Sequence, residues 1–231
     1  METRKNKSRL QLERIIGVSI FSALAFSVAL VCNIIPPIQG FLSLDVKDAV
    51  IVTAAFIYGP ISGVAIAFIA AFIEFLTFST TAWYGLIMNF ASSAVFTLTA
   101  SLIYKKIRTI NGAIASFTAA VIATTGVMLL LNTFVTPIYL ASPLVGMPEA
   151  MASEMVKELL GKVLLPFNFA KALLNASLSI MLYKPVLSAL SKAGIIKTKS
   201  VSLSFNRNTI IVAIIGSFAL IVSVVIFLII K

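Results

Sequence analysis

The segment AFIYGPISG, Ala55–Gly63, interrupts an uncharged run that extends from Ala49 to Ile73. Its glycine–proline pair ends one helix and begins another, because proline fits a first helical turn but cannot continue a ladder of backbone hydrogen bonds. The sequence therefore predicts a short helix over residues 47–58 and a second helix over residues 60–77. This division decides the helix count, and with it the side on which every later loop lies.

The composition is that of a membrane protein. Hydrophobic residues make up 60% of the 231 residues and charged residues 11%, whereas globular domains are typically about 25% charged. Runs longer than the roughly 18 uncharged residues that mark a membrane span recur along the chain. They are Ile15–Leu44, Ala49–Ile73, Phe75–Tyr104, Thr109–Pro148 and Asn208–Ile230. Because these runs do not alternate polar and apolar residues as barrel strands do, we predict an all-α polytopic membrane protein.

The basic residues indicate the orientation of the chain. Of the 18 lysines and arginines, five lie in residues 1–14, three in residues 105–112 and five in residues 184–208. Cytoplasmic loops are enriched in these residues, and all three segments fall on one side only if the chain divides at the glycine–proline pair. We therefore predict a cytoplasmic N-terminus. The net charge of +10 is then concentrated in loops beside the bilayer, so we expect no nucleic-acid partner.

The predicted organisation is a six-helix core followed by a seventh hydrophobic helix. The other membrane helices are predicted over residues 15–35, 85–104, 113–138, 163–184 and 209–230. The corresponding regions are a basic cytoplasmic N-terminus (1–14), a six-helix membrane domain (15–190), a basic cytoplasmic linker (191–208) and an extra transmembrane helix (209–231). A short amphipathic helix after Pro148 is expected outside the membrane, as a surface helix or as a mobile lid.

Polar residues within the predicted helices are candidates for function, because burying them in a bilayer is costly. The stretch LPFNFAKALLN, Leu165–Asn175, places Asn168, Lys171 and Asn175 on one stripe about 60° wide. In the predicted topology other polar side chains lie in the same outer half: Asp45, Glu74, Tyr84, Asn89 and Asn132. Their convergence on one half of the bundle predicts a pocket that opens to the outside.

Three of these residues form the strongest candidate set. Asn132 and Asn168 each offer a donor and an acceptor side by side, and Lys171 offers only donors. Such groups match a flat, uncharged heterocycle with an imide-like edge. We therefore predict that Asn132, Asn168 and Lys171 bind a ligand of this kind.

The remaining polar residues also have structural interpretations. Asn89 and Asn175 are residue types that often hydrogen-bond between neighbouring helices. Glu74 has the charge to form a structural ion pair with Lys171, and Tyr84 fits the aromatic belt at a membrane interface. We keep them as ligand-binding candidates beside these alternatives.

Small residues recur on the first helix. Ala25 and Ala29 are four residues apart, and Ser19, Ala23 and Ser27 repeat the spacing on a neighbouring face. This spacing lets another helix approach closely. It indicates either docking of another membrane subunit or packing within the chain.

Several segments together resemble a known family, the substrate-binding S components of energy-coupling-factor (ECF) vitamin transporters, and within it the riboflavin-specific RibU family. In order along residues 15–190 the matching pieces are A-x-x-x-A on the first helix, FLSLDVKD, AFIYGPISG, GLIMNF and LPFNFAKALLN. Each piece is short, and their order and spacing carry the resemblance. The hydrophobic segment from Thr209 to Ile230 is not part of the family's six-helix core.

The resemblance implies a binding subunit that captures riboflavin from outside a bacterial plasma membrane. It implies that Asn132, Asn168 and Lys171 contact the isoalloxazine ring, and that Ala25 and Ala29 face a transmembrane T subunit. Energy is then supplied by two ATPase subunits, consistent with the lack of a G-x-x-x-x-G-K-[ST] motif in the sequence. We expect no catalytic residue, no metal and no cofactor, with riboflavin as transported ligand.

Other functions are also compatible with the sequence. The same fold is compatible with another small planar vitamin, and an autonomous secondary transporter is a further alternative for which Glu74 is the available ion ligand. A membrane-embedded enzyme is disfavoured, because the sequence has no histidine and no paired-carboxylate or metal-ligand cluster.

Overall fold

The structure is a computed structural model that describes residues 2–107, 110–192 and 207–230. Its helices, in chain order, are α1 (Glu2–Cys32), α2 (Lys47–Tyr58), α3 (Pro60–Thr77), α4 (Ala82–Lys106), α5 (Ile110–Ala141), α6 (Glu149–Leu159), α7 (Leu165–Lys192) and α8 (Arg207–Ile230). A π-helical turn, Leu160–Leu164, joins α6 to α7. Within the described ranges the only β-type pairing is an isolated bridge between Ile38 and Leu42.

The division at the glycine–proline pair is confirmed. Gly59 has φ 94° and ψ 163°, a conformation open mainly to glycine, and Pro60 is the first residue of α3. The Gly59 N–H donates to the Ala55 carbonyl oxygen at 2.9 Å and so closes the last turn of α2. Both helices have the predicted bounds.

The all-α polytopic class is confirmed as well. Stretches long and apolar enough to cross a bilayer are Gln11–Cys32, Pro60–Thr77, Ala82–Lys106, Gly112–Ala141 and Glu149–Leu182. By contrast, α2 has 12 residues and is about 18 Å long, little more than half of a hydrocarbon core of about 30 Å. It contacts α1, α3, α4 and α7, so protein surrounds it on several sides.

Some boundaries differ from the prediction. The basic N-terminus, expected before the first helix, belongs to α1, which begins at Glu2. The amphipathic helix after Pro148 forms as α6, but it is continuous with α7 through the π-helical turn and packs against α5. The predicted linker lies largely outside the described residues, and the cytoplasmic N-terminus remains a prediction.

The small residues of α1 lie on two faces, one buried and one exposed. Ala25 and Ala29 are buried, and Ala25 belongs to a core cluster shared with α2 and α3. This burial agrees with the alternative of packing within the chain, and contact of Ala25 and Ala29 with a partner subunit stays a prediction. The neighbouring stripe of Ser19, Ala23 and Ser27 is the exposed one.

Replacing Gly59 tests the α2–α3 junction. Gly59→Ala should lower the free energy of unfolding by about 1–3 kcal/mol, because an L side chain is strained at this φ and ψ. Unfolding can be followed in mixed detergent micelles. The matched control is Gly126→Ala in α5, where an added Cβ meets no atom within 4 Å. We expect this control to be neutral or stabilising by up to about 1 kcal/mol, and equal losses in both variants would contradict the account.

Candidate ligand-binding site

A cleft opens between α4, α5, α7 and the loop that joins α1 to α2. Its volume is about 670 Å³ including the open mouth. Predicted site residues that line it are Tyr84, Asn89, Asn132, Asn168 and Lys171. The structure thus brings the strongest candidate set together in one cavity.

Other lining residues were not predicted from the sequence. Phe41, Ser43, Thr136, Tyr139 and Phe167 all contribute to the wall. Thr136 follows Asn132 by four residues and shares its helix face, so helical spacing contained a signal for it. The loop residues Phe41 and Ser43 carry no such periodic signal.

The two asparagines are oriented by bonds to carbonyl oxygens four residues earlier in the chain. Asn132 Nδ2 donates to the Met128 carbonyl oxygen at 2.7 Å, and Thr136 Oγ1 donates to Asn132 Oδ1 at 2.9 Å. Asn168 Nδ2 donates to the Leu164 carbonyl oxygen at 2.7 Å. Since an amide has two N–H groups and two acceptor positions, each side chain keeps hydrogen-bonding capacity for a ligand.

Lys171 connects the cleft to the loop. Its Nζ donates to Asp45 Oδ2 at 2.7 Å and to the Ser43 carbonyl oxygen at 3.1 Å, which leaves a third N–H. Burial alone raises the pKa of the Asp45 carboxyl, but the ammonium groups of Lys171 and Lys47 outweigh burial and hold this pKa below its usual value. The charge of Lys171 is therefore balanced before any ligand arrives.

A buried ionic network continues from Asp45. Lys47 Nζ lies 3.8 Å from Asp45 Oδ2 and donates to the two carboxylate oxygens of Glu74 at 2.6 and 2.7 Å. Asn89 Nδ2 donates to Glu74 Oε2 at 3.2 Å. The alternative pairing of Glu74 with Lys171 is wrong, because Glu74 forms its ion pair with Lys47 and Lys171 pairs with Asp45.

Asn175 hydrogen-bonds to the backbone around the same ionic network. Its Nδ2 donates to the carbonyl oxygens of Asp45 and Lys171, each at 3.1 Å, and its Oδ1 accepts from the Ala49 N–H at 3.1 Å. Asn175 therefore joins α7 to the start of α2, as the structural interpretation expected. Asp45, Glu74 and Asn175 do not line the cleft; they hold the elements that do.

Aromatic rings border the cleft. Tyr84 stacks on Trp83 with ring centroids 3.8 Å apart and meets Tyr139 edge to face at 5.6 Å. Tyr139 lies 6.1 Å from Phe41 of the loop. Tyr84 is buried while half of the Trp83 side chain is exposed, so the interfacial-belt interpretation fits Trp83 better than Tyr84.

Comparisons with known proteins identify the family of the chain. Residues 13–187 match the family model described as "ECF transporter, substrate-specific component". The chain belongs to this family. The match ends before α8 begins at Arg207.

Two curated relatives are riboflavin transporters by name. The chain is 31% identical over 194 residues to riboflavin transporter RibU of Staphylococcus aureus (strain TCH60), covering 83% of this chain and 100% of that one. It is 26% identical over 170 residues to riboflavin transporter FmnP of Bacillus subtilis (strain 168), covering 71% and 86%. A solved structure of the S component of a bacterial ECF transporter has a TM-score of 0.62 and 30% identity, covering 78% of this chain and 98% of that one.

Substituting Lys47 tests the ionic network. Lys47→Met should lower the free energy of unfolding by about 3–5 kcal/mol, because it leaves Glu74 buried without its cation. Combining it with Glu74→Gln should restore part of this loss by removing the stranded charge.

The matched control for Lys47 is Lys162→Met. Lys162 pairs with Glu158 at 2.9 Å but is 72% exposed, so its loss should cost less than about 1 kcal/mol. The free energy of unfolding can be measured by chemical unfolding in micelles. A similar decrease in both lysine variants would show that burial of the network contributes nothing to stability.

Proposed function

We propose that the protein is the substrate-capture subunit of an ECF transporter and binds riboflavin in the cleft between α4, α5 and α7. The observation that carries the proposal is the convergence of Asn132, Asn168 and Lys171 on one cavity. The likeness to the RibU and FmnP riboflavin transporters supports riboflavin over another planar vitamin.

The chemistry of the isoalloxazine ring suits these side chains. Its pyrimidine edge presents an N–H donor between two carbonyl acceptors. Asn168 Oδ1 can accept from such a donor, while the remaining N–H groups of Asn132, Asn168 and Lys171 can donate to the carbonyls. The dimethylbenzene edge would pack on apolar wall residues such as Met88, Met128, Val135 and Phe167.

The charge of the cleft favours the unphosphorylated vitamin. Lys171 is the one cationic residue among the described lining residues, and it already pairs with Asp45 at 2.7 Å. A phosphate group would add negative charge, and the described lining residues of the cleft include no arginine to bind it. A neutral ring system with hydroxyl substituents requires no such partner, and Ser43 of the loop offers polar contacts for hydroxyls.

The proposal includes partners that supply energy. Family membership makes the chain a binding component, and its sequence has no phosphate-binding loop for ATP. We therefore assign ATP hydrolysis to two ATPase subunits, coupled through a transmembrane T subunit in a bacterial plasma membrane. The chain itself then acts as a binding protein and not as an enzyme.

Binding of riboflavin is measured by quenching of its fluorescence. The purified protein should quench riboflavin, and Asn168→Ala should weaken the affinity about threefold to tenfold through loss of a neutral hydrogen bond. The matched control is Asn33→Ala, which removes the same side chain from an exposed position after α1. Wild-type affinity in Asn168→Ala, or no quenching by the wild-type protein, would contradict the proposed site or the proposed ligand respectively.

A further inference from the structure

The helix α8 adds a seventh hydrophobic element to the six-helix core and lies beyond the residues that the family model matches. It packs along α7, the helix that carries Asn168 and Lys171. Two of its buried residues, Ser223 and Phe227, contact α7; they are four positions apart and share one helix face.

Ser223 bonds to the backbone of α7 at the site. Its Oγ donates to the Ala170 carbonyl oxygen at 2.7 Å, and Ser223 is completely buried. Ala170 lies in the same helical turn as Asn168 and Lys171, so this bond fixes the backbone that carries both ligand-binding candidates.

Phe227 supports the wall of the cleft. Its ring meets the Phe167 ring edge to face, with centroids 5.7 Å apart. Phe167 lines the cleft, so one ring contacts the cavity and the other lies behind it. Both belong to the largest apolar cluster of the described residues.

This part of α7 needs support because its own backbone bonding is irregular. The π-helical turn Leu160–Leu164 immediately precedes it and departs from the regular hydrogen-bond ladder. Pro166 has no N–H and therefore contributes no bond to a preceding carbonyl. The Asn168 side chain also depends on this region, since it donates to the Leu164 carbonyl oxygen.

We propose that α8 is a positioning element that holds the Phe167–Lys171 turn of α7 against the riboflavin cleft through Ser223 and Phe227. The ligand in this proposal rests on the proposed function. The positioning itself is a property of the chain without ligand. Neither Ser223 nor Phe227 lines the cleft, so both act through α7.

The first test measures riboflavin dissociation from full-length variants. Ser223→Ala and Phe227→Ala should each release riboflavin about threefold to tenfold faster than wild type, because the turn that binds the ring becomes mobile. The matched controls make the same substitutions on exposed positions of α8, Ser217→Ala and Phe218→Ala. They should stay within about twofold of wild type. Equal riboflavin dissociation rates in the Ser223 and Phe227 variants and in their controls would overturn the proposal.

The second test separates positioning from general stability. Ser223→Thr keeps the hydroxyl, so riboflavin should dissociate from it as slowly as from the wild-type protein. If Phe227→Ala does not fold, Phe227→Leu is used in its place. In the riboflavin-free protein, hydrogen–deuterium exchange of residues 165–175 should be faster in Ser223→Ala than in Ser217→Ala. If the wild-type protein binds no riboflavin, the proposed function fails while the exchange measurement still decides the role of α8. Unchanged exchange in Ser223→Ala would overturn that role.

Discussion

The ion pair between Lys171 and Asp45 is the interaction on which the site depends. It joins α7 to the loop between α1 and α2, and Lys47 and Glu74 extend it to α2 and α3. Removing such charges from water costs several kcal/mol for each ion, so they are stable in the bundle only when paired. The four elements are consequently held in one arrangement, and the cleft takes its shape from that arrangement.

The same pairing sets the chemistry of the cleft. Because Asp45 balances Lys171, the cavity presents hydrogen-bonding groups without a large excess of charge. Asn132 and Asn168 are aligned by bonds to carbonyl oxygens four residues earlier in the chain, which reduces the entropy lost when a ligand binds. A flat neutral heterocycle gains several directed hydrogen bonds in such a cavity without displacing an ion pair.

The features that follow from local rules were predictable from the sequence. The junction at Gly59 and the polar stripe of α7 depend on backbone conformation and helical spacing alone. The ion-pair partner of Glu74 was not predictable, since Glu74 meets Lys47, 27 residues away in the sequence, only after the helices pack. Spacing also placed Ala25 on a small-residue face without indicating that α2 and α3 cover it. The fusion of α6 to α7 escaped prediction because side-chain patterns do not specify a π-helical turn.

The seventh helix extends this framework from the other side of α7. The loop and its ion pairs hold one face of the helix, and Ser223 and Phe227 contact another. The most direct measurement of the whole account is an experimental structure of the protein with riboflavin bound. We expect the pyrimidine edge of the ring within hydrogen-bonding distance of Asn132, Asn168 and Lys171, with the Lys171–Asp45 pair intact. A flavin bound elsewhere in the bundle, or a ring that displaces Asp45 from Lys171, would contradict it.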